Sequence, residues 1–304
     1  IFEKLIKINS GPFPYESIIS IFREIISASR SVGKPFKIAY WGSEATYTHL
    51  AAMMRFGFSV KYIPIPALSD IFTEVERGRC DYGVVPIENS TEGVVNYTLD
   101  IFVDSELKIC SEIMLKVSHN LLSNAKSIKG IKKVYGNSQS FAQSRRWLDN
   151  NLPNIELVEV STTAEAAKMT LKDSKAAAIA SALAAKIYNL NILAKGIEDI
   201  SDNFTRFLVV SKNYSKKSGK DKTSIMFSIK DKIGALHSML VPFEKYKINL
   251  TNIESRPSRK KVWDYYFFID FLGHIEDQNV KLALKELEKK CIFLKILGSY
   301  PVSE

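Results

Sequence analysis

The chain has 304 residues, enough for about two domains, and its 46% hydrophobic and 25% charged residues are ordinary for a soluble globular protein. No apolar run approaches the roughly 18 residues that a membrane helix needs. The net charge of +9 gathers partly in 212–222 and at Arg256, Arg259, Lys260 and Lys261. No nucleic-acid motif accompanies it, which argues against nucleic acid and leaves a membrane surface or an anionic small substrate.

Cys80, Cys110 and Cys291 are widely spaced with no CxxC pair, so neither a disulfide framework nor a zinc site follows. Reduced, buried thiols in a cytoplasmic protein are expected. The start at Ile1 has no signal-peptide layout, and the chain is expected to begin inside a longer protein.

In chain order, Ile18, Ile21, Phe22, Ile25 and Ile26 fall at helical spacing within 1–33. Asn9-Ser10-Gly11-Pro12 separates that helix from a shorter helical piece before it. From residue 36 strands alternate with helices: strand 36–40, helix 47–56, strand 60–63, helix 68–77 and the apolar strand 82–87. Further strands are expected at 112–117, 133–135, 155–159, 176–180 and 207–210, and helices at 138–150, 163–171 and 182–190. This alternation predicts an α/β layer fold with largely parallel pairing. Residues 213–220 are small, polar and charged, and read as a linker. Beyond them, strand 223–229, helix 235–246, strands 249–254 and 262–271, helix 277–290 and strand 292–299 make a ferredoxin-like βαββαβ unit.

Open α/β sheets bind ligands at strand ends, where three polar clusters fall. Gly42-Ser43-Glu44-Ala45-Thr46-Tyr47-Thr48-His49 opens a helix and suits either an anion or a plain N-cap. Pro86-Ile87-Glu88-Asn89-Ser90-Thr91-Glu92-Gly93 follows the apolar stretch 82–85 and suits either a binding crevice or a turn. In Asp202-Asn203-Phe204-Thr205-Arg206-Phe207, Arg206 suits either a forked clamp on a carboxylate or a surface position.

VPIENSTEGVV at 85–95, TTAEAA at 162–167, AAIAS at 177–181 and NFTRFLVV at 203–210 together resemble the signature stretches of prephenate dehydratases, in the family's order and spacing. The resemblance spans about residues 36–210. It implies a two-lobed catalytic domain, similar to periplasmic solute-binding proteins, over 35–211, with substrate in the interlobe cleft. Thr205 falls on the family's essential threonine. Thr46, Tyr47, Glu88, Asn89, Ser90, Thr162, Thr163 and Phe207 fall on or beside substrate-binding positions. The family's GPxGTY/F and SxPQ stretches are altered here, at Ser43 and Ala45 and at Gly136-Asn137-Ser138.

Prephenate loses carbon dioxide and hydroxide as its ring becomes aromatic, and hydroxide departure sets the barrier. A hydroxyl donor at the departing oxygen is the expected device, and Thr205 is the candidate. Arg206 either binds a carboxylate or braces its loop, and Glu88 serves as a general acid or as structure. No metal or organic cofactor is expected.

GALH at 234–237 and ESRP at 254–257 resemble the phenylalanine-binding motifs of ACT domains. That assigns 222–304 as a regulatory domain after a linker at 212–221. Gly234, Ala235, Leu236 and His237, with Asn252, Glu254, Ser255, Arg256 and Pro257, are the expected effector residues for L-Phe. The likeness also implies a homodimer or homotetramer. Residues 1–34 resemble the end of a helical chorismate mutase module lacking its long first helix, so no mutase activity is expected of this chain, although a full-length parent could be bifunctional. Arogenate as substrate, and a noncatalytic amino-acid sensor, remain the alternatives.

Overall fold

The helical spacing near the start becomes helix α1 (Tyr15–Ser31) in the computed structural model, which describes residues 5, 7–230, 233–257 and 265–303. Most of the helical piece expected before Asn9 lies outside the described residues, as do Arg259, Lys260, Lys261 and the start of the strand expected at 262–271. Strand β1 (Lys37–Trp41), helix α2 (Tyr47–Phe56), strand β2 (Lys61–Ile65), helix α3 (Leu68–Glu76) and strands β3 (Tyr82–Asn89) and β4 (Gly93–Val94) follow. Next come helix α4 (Asn96–Asp104), strands β5 (Lys108–Lys116), β6 (Asn120–Ser123) and β7 (Lys133–Gly136), then helices α5 (Ser138–Gln143) and α6 (Arg145–Asn151). Strand β8 (Glu156–Glu159), helix α7 (Thr163–Thr170), strand β9 (Ala176–Ala180), helix α8 (Ala182–Tyr188) and strands β10 (Asn191–Ala194) and β11 (Phe204–Ser211) complete this part. The C-terminal part runs β12 (Asp221–Ser228), α9 (Ala235–Lys245), β13 (Leu250–Pro257), β14 (Tyr265–Leu272), α10 (Gln278–Glu288) and β15 (Phe293–Pro301).

Four elements, β4, α4, β6 and β10, were not expected from the sequence. The single helix expected over 138–150 is instead two. Asp199 is the reason: its carboxylate accepts the N–H groups of Arg146 and Trp147 at 3.0 and 3.2 Å. A distant acid thus caps a new helix start.

The chain divides into two compact units, neither a single run of sequence: 1–67, 89–93 and 115–205 make the first, and 68–88, 94–114 and 206–304 the second.

In the first unit, strands order β10-β6-β9-β7-β8. β9 is parallel to β7 and antiparallel to β6, and all five of its residues are buried. Its alanines meet Ala164, Ala166 and Ala167 of α7 and Ala184 and Ala185 of α8 in one core. Side chains of one carbon bring helix and sheet backbones close, which is how so small a residue fills a core to ordinary density. β1 and β2 pair in parallel from Lys37 opposite Lys61 to Trp41 opposite Ile65. Helix α1 is fastened to the loop after α2: Glu24 accepts the N–H of Phe58 at 2.9 Å and Ser27 that of Ser59 at 3.3 Å.

In the second unit the order is β13-β14-β12-β15-β5-β11-β3. The first four strands are antiparallel, and α9 and α10 cover one face through Met239, Phe243, Val280, Ala283 and Leu287 against Ile225, Phe227, Ile269 and Phe271. That is the βαββαβ unit expected from the sequence. β15 then meets β5 in parallel at Gly298 opposite Ile109. A Cβ at position 298 would lie 2.7 Å from the Ile109 Cβ, so only glycine permits the approach.

Candidate active site

Period-two alternation decides which residues of β3 and β11 can act together. Asn89 ends β3 and Thr205 is the second residue of β11. Asn89 Nδ2 donates to Thr205 Oγ1 at 2.8 Å and to Asn203 Oδ1 at 2.8 Å. Asn89 Oδ1 accepts the N–H groups of Thr91 and Glu92, both at 3.0 Å, and the Thr91 hydroxyl at 2.6 Å. Backbone N–H groups can only donate, so the amide has one possible orientation. The Thr205 oxygen therefore accepts from Asn89, and its own hydrogen is left for another acceptor.

The network continues inward. Asn203, 2% exposed, donates to Gln143 Oε1 at 3.1 Å, and His119 Nε2 donates to the same oxygen at 2.8 Å. Gln143 Nε2 returns to Thr91 Oγ1 and Glu92 Oε1 at 3.3 and 3.4 Å. The hydroxyl of Tyr47 lies 2.9 Å from His119 Nδ1. Burial pulls the His119 pKa below its ordinary value, against the opposing hydrogen bond to Gln143 and the charge of Glu198. The neutral ring with its proton on Nε2 satisfies Gln143, and Nδ1 shares the one Tyr47 hydroxyl hydrogen with the Ser118 carbonyl, which accepts it at 2.8 Å. Burial, with Glu198 adding, pushes the Tyr47 hydroxyl up, which keeps it a protonated donor.

Ser90 fixes the loop to this strand. Its Oγ accepts the N–H of Phe204 at 2.9 Å and its backbone N–H donates to the Phe204 carbonyl at 2.8 Å.

Other expected substrate residues hold local structure. Thr46 caps α2, accepting from the His49 N–H at 3.4 Å while donating to the Ser43 carbonyl at 2.9 Å. Before it, Ala45 adopts φ 71°, a region glycine favours. The Ser181 hydroxyl on its carbonyl and the alanine core around it hold that conformation. Thr162 caps α7 by accepting from Glu165 N–H at 3.1 Å, and Thr163 is buried. Phe207 is 2% exposed.

Arg206, the neighbour of Thr205, projects from the opposite strand face. Its Nε donates to Glu112 Oε2 at 2.8 Å, Nη1 to Asp270 Oδ2 at 2.6 Å and Nη2 to the Tyr300 hydroxyl at 3.0 Å. Lys222 Nζ adds 2.9 Å contacts to both Glu112 oxygens. A forked clamp needs free N–H groups facing the ligand, and this guanidinium, 8% exposed, faces two carboxylates already. Glu88 likewise points away from Asn89. It lines a recess of about 30 Å³ with Arg206, Asp270, Asn252 and Glu254.

The expected effector residues are divided by the same alternation. Across β13–β14, Asn252, Glu254 and Arg256 stand opposite Asp270, Phe268 and Tyr266, while Ser255 stands opposite Phe267. Asn252 and Glu254 therefore share the face of Asp270, and their recess has room for a water molecule or two, not for an aromatic amino acid. Arg256 forks onto Asp100 of α4, with Nε–Oδ1 and Nη2–Oδ2 both 3.1 Å. Ser255 shares its face with Phe267, which packs with the helix-covered core. Gly234, at φ 73°, caps α9, with Leu236 and His237 exposed behind it, Ala235 buried and Pro257 exposed at the end of β13.

Among the described residues no group of three or more metal-ligating side chains gathers, and no helix is long and apolar enough to cross a membrane. His119 and Gln143 were not singled out from the sequence, and Asn203 only as a member of the third polar cluster. The signal available was slight: a histidine and an asparagine closing an apolar strand in Lys116-Val117-Ser118-His119-Asn120, and Asn203 inside the NFTRF stretch itself.

The chain thus joins an α/β fold that holds an oriented hydroxyl to a C-terminal βαββαβ unit. The model of the family described as prephenate dehydratase matches residues 38–215, and that of the ACT domain matches 223–289. The chain belongs to the prephenate dehydratase family, hydro-lyases of phenylalanine biosynthesis. It is 53% identical to the bifunctional chorismate mutase/prephenate dehydratase of Aquifex aeolicus, over 99% of this chain and 84% of that one. The corresponding protein of Pseudomonas aeruginosa is 43% identical over 99% and 83%. The solved prephenate dehydratase of Arthrobacter aurescens, a complex with L-Phe, superposes with a TM-score of 0.79 at 34% identity, covering 88% and 90% of the two chains.

Proposed function

We propose that Thr205 donates its hydroxyl hydrogen to the departing oxygen of prephenate. As the ring carboxylate leaves as carbon dioxide, its C–C bonding pair enters the ring, and the C–O bond across the ring breaks to release hydroxide. A proton from solvent completes water, and phenylpyruvate remains. Charge develops on the leaving oxygen, where a pre-aimed donor stabilises the transition state more than the ground state. What carries this reading is the Asn89 amide: by donating to Thr205 it prevents that hydroxyl from donating back. Arg206 in this reading braces the strand, and Glu88 is structural.

Thr205→Val should lower kcat by about 10²–10³, the cost of losing one such donor. Thr205→Ser should retain most of it. Phenylpyruvate absorbance measures both, and near-normal turnover in the valine variant removes the assignment. The same assay run with arogenate ranks the two substrates, and absence of turnover on either would leave the noncatalytic sensor.

The same proposal takes residues 35–211 as catalytic, 212–221 as linker, 222–304 as regulatory and 1–34 as a mutase-type helical segment. L-Phe is its effector, with its carboxylate at the α9 N-terminus, where free N–H groups and the helix dipole favour an anion. Gly234 allows close approach, and Leu236, His237, Ser255 and Pro257 lie beside it or on that face of β13. The solved relative bound to L-Phe supports this effector. A homodimer or homotetramer is the assembly proposed with it.

A further inference from the structure

We infer that Arg206 is a positioning residue through which the C-terminal regulatory sheet sets the placement of Thr205. The inference rests on the reading of L-Phe as effector. The boundary between the two compact units falls at the Thr205–Arg206 peptide. One residue belongs to the hydroxyl network and the next is gripped by four strands.

Glu112 comes from β5, Lys222 from β12, Asp270 from β14 and Tyr300 from β15, and all but Lys222 are less than a tenth exposed. Three of these four strands belong to the βαββαβ unit. Two cations and two anions leave the cluster neutral, so each charge is compensated only while all four keep their places. Ser224 adds hydrogen bonds to both Asp270 and Tyr300.

The regulatory sheet has a second hold close by. Arg256 of β13 forks onto Asp100, and Lys295 of β15 donates to the carbonyls of Phe102, Val103 and Ser105 at the end of α4. α4 begins three residues after Gly93, the last residue of the 89–93 segment that carries Asn89. Alternation along β13 places Ser255 on the face proposed for L-Phe and Arg256 on the face that grips α4. A shift of this strand on ligand binding therefore reaches the supports of both Asn89 and Thr205. Two rigidly packed arrangements of such a cluster are what an allosteric signal needs.

The test is the double variant Lys222→Met/Asp270→Asn. It stays neutral and keeps the Arg206–Glu112 pair, but cuts the ionic ties from β12 and β14. The expected result is retained turnover, L-Phe binding unchanged by calorimetry, and inhibition weakened about tenfold or more, within the usual range of allosteric coupling. Unchanged inhibition overturns the inference. Lost L-Phe binding in the variant also overturns it, because the cluster would then belong to the ligand site. If the unaltered chain bound no L-Phe, the effector reading would fall and the inference with it. Should the double variant not fold, Tyr300→Phe removes one hydroxyl from Arg206 without changing charge, and a smaller rise in the inhibition constant is expected. No rise overturns the inference.

Discussion

Asn89 Nδ2 lies 2.8 Å from Thr205 Oγ1, and the oxygen of the same amide accepts two backbone N–H groups and a hydroxyl. The direction of one hydrogen bond thereby fixes the polarity of the next. A hydroxyl that must accept on one side has its hydrogen free on the other.

Asn89→Asp tests that polarity at constant shape. A carboxylate only accepts, so the Thr205 hydrogen should turn toward it and away from substrate. Turnover should fall by about 10²-fold or more, by analogy with the loss of one transition-state donor, with the unfolding midpoint little changed. Steady-state kinetics beside thermal unfolding separates the two effects, and retained turnover would sink the orientation argument.

The buried imidazoles predict a direction for stability against pH. Burial lowers the pKa of His119 and of His49; Gln143 and Glu198 oppose it at His119, and Glu44 at His49. Below the ordinary value of about 6.5 the unfolded chain takes up protons that the folded chain refuses. Stability present above that pH should therefore be lost as pH falls through it. Thermal midpoints across this range measure the slope, and His119→Gln should flatten it. An unaltered slope in the variant places the titration elsewhere.

Glu112→Gln leaves Arg206 with Asp270 as its one carboxylate and takes from Lys222 the carboxylate it contacts. Breaking a buried ion cluster by removing one partner typically costs about 3–5 kcal/mol. Burial would raise the Glu112 pKa, but Arg206 and Lys222 outweigh it and hold the carboxyl below its ordinary range. Its contribution is thus present above the unfolded carboxylate value, about 4.3, and lost as pH falls through the lower folded value. Urea denaturation at neutral pH checks the first figure. A loss under about 1 kcal/mol would mean the cluster behaves like an exposed pair.

Gly298→Ala should loosen the join of β15 to β5. The added methyl would press on the Ile109 carbonyl and lie 2.7 Å from its Cβ. Overpacking of this kind costs about 1–3 kcal/mol. A stability loss by chemical denaturation, accompanied by weaker L-Phe inhibition, is the expected outcome. Unchanged stability would show that the two strands separate freely.

The alternation of apolar runs with helical spacing was legible over most of the chain because each long element buries one face of its own. Strand 176–180 and helix 235–246 were found within a residue or two of their ends. Helix α4 and strands β4, β6 and β10 were not, since short elements made by packing leave little periodicity. The split between α5 and α6 was illegible for another reason: the capping carboxylate of Asp199 is some fifty residues away.

The motifs by themselves determined the family and marked Asn89, Ser90 and Thr205, because a reacting group needs a particular side chain at a particular place in the chain. Tertiary structure decided what each neighbour does. Thr205 and Arg206 are adjacent in sequence, yet strand geometry turns one into the hydroxyl network and the other onto Glu112 and Asp270. Arg256 and Ser255 part in the same way along β13. Covalent order sets which groups are present; the pleat and the surrounding partners set which way they face, and a hydrogen bond exists only in a direction.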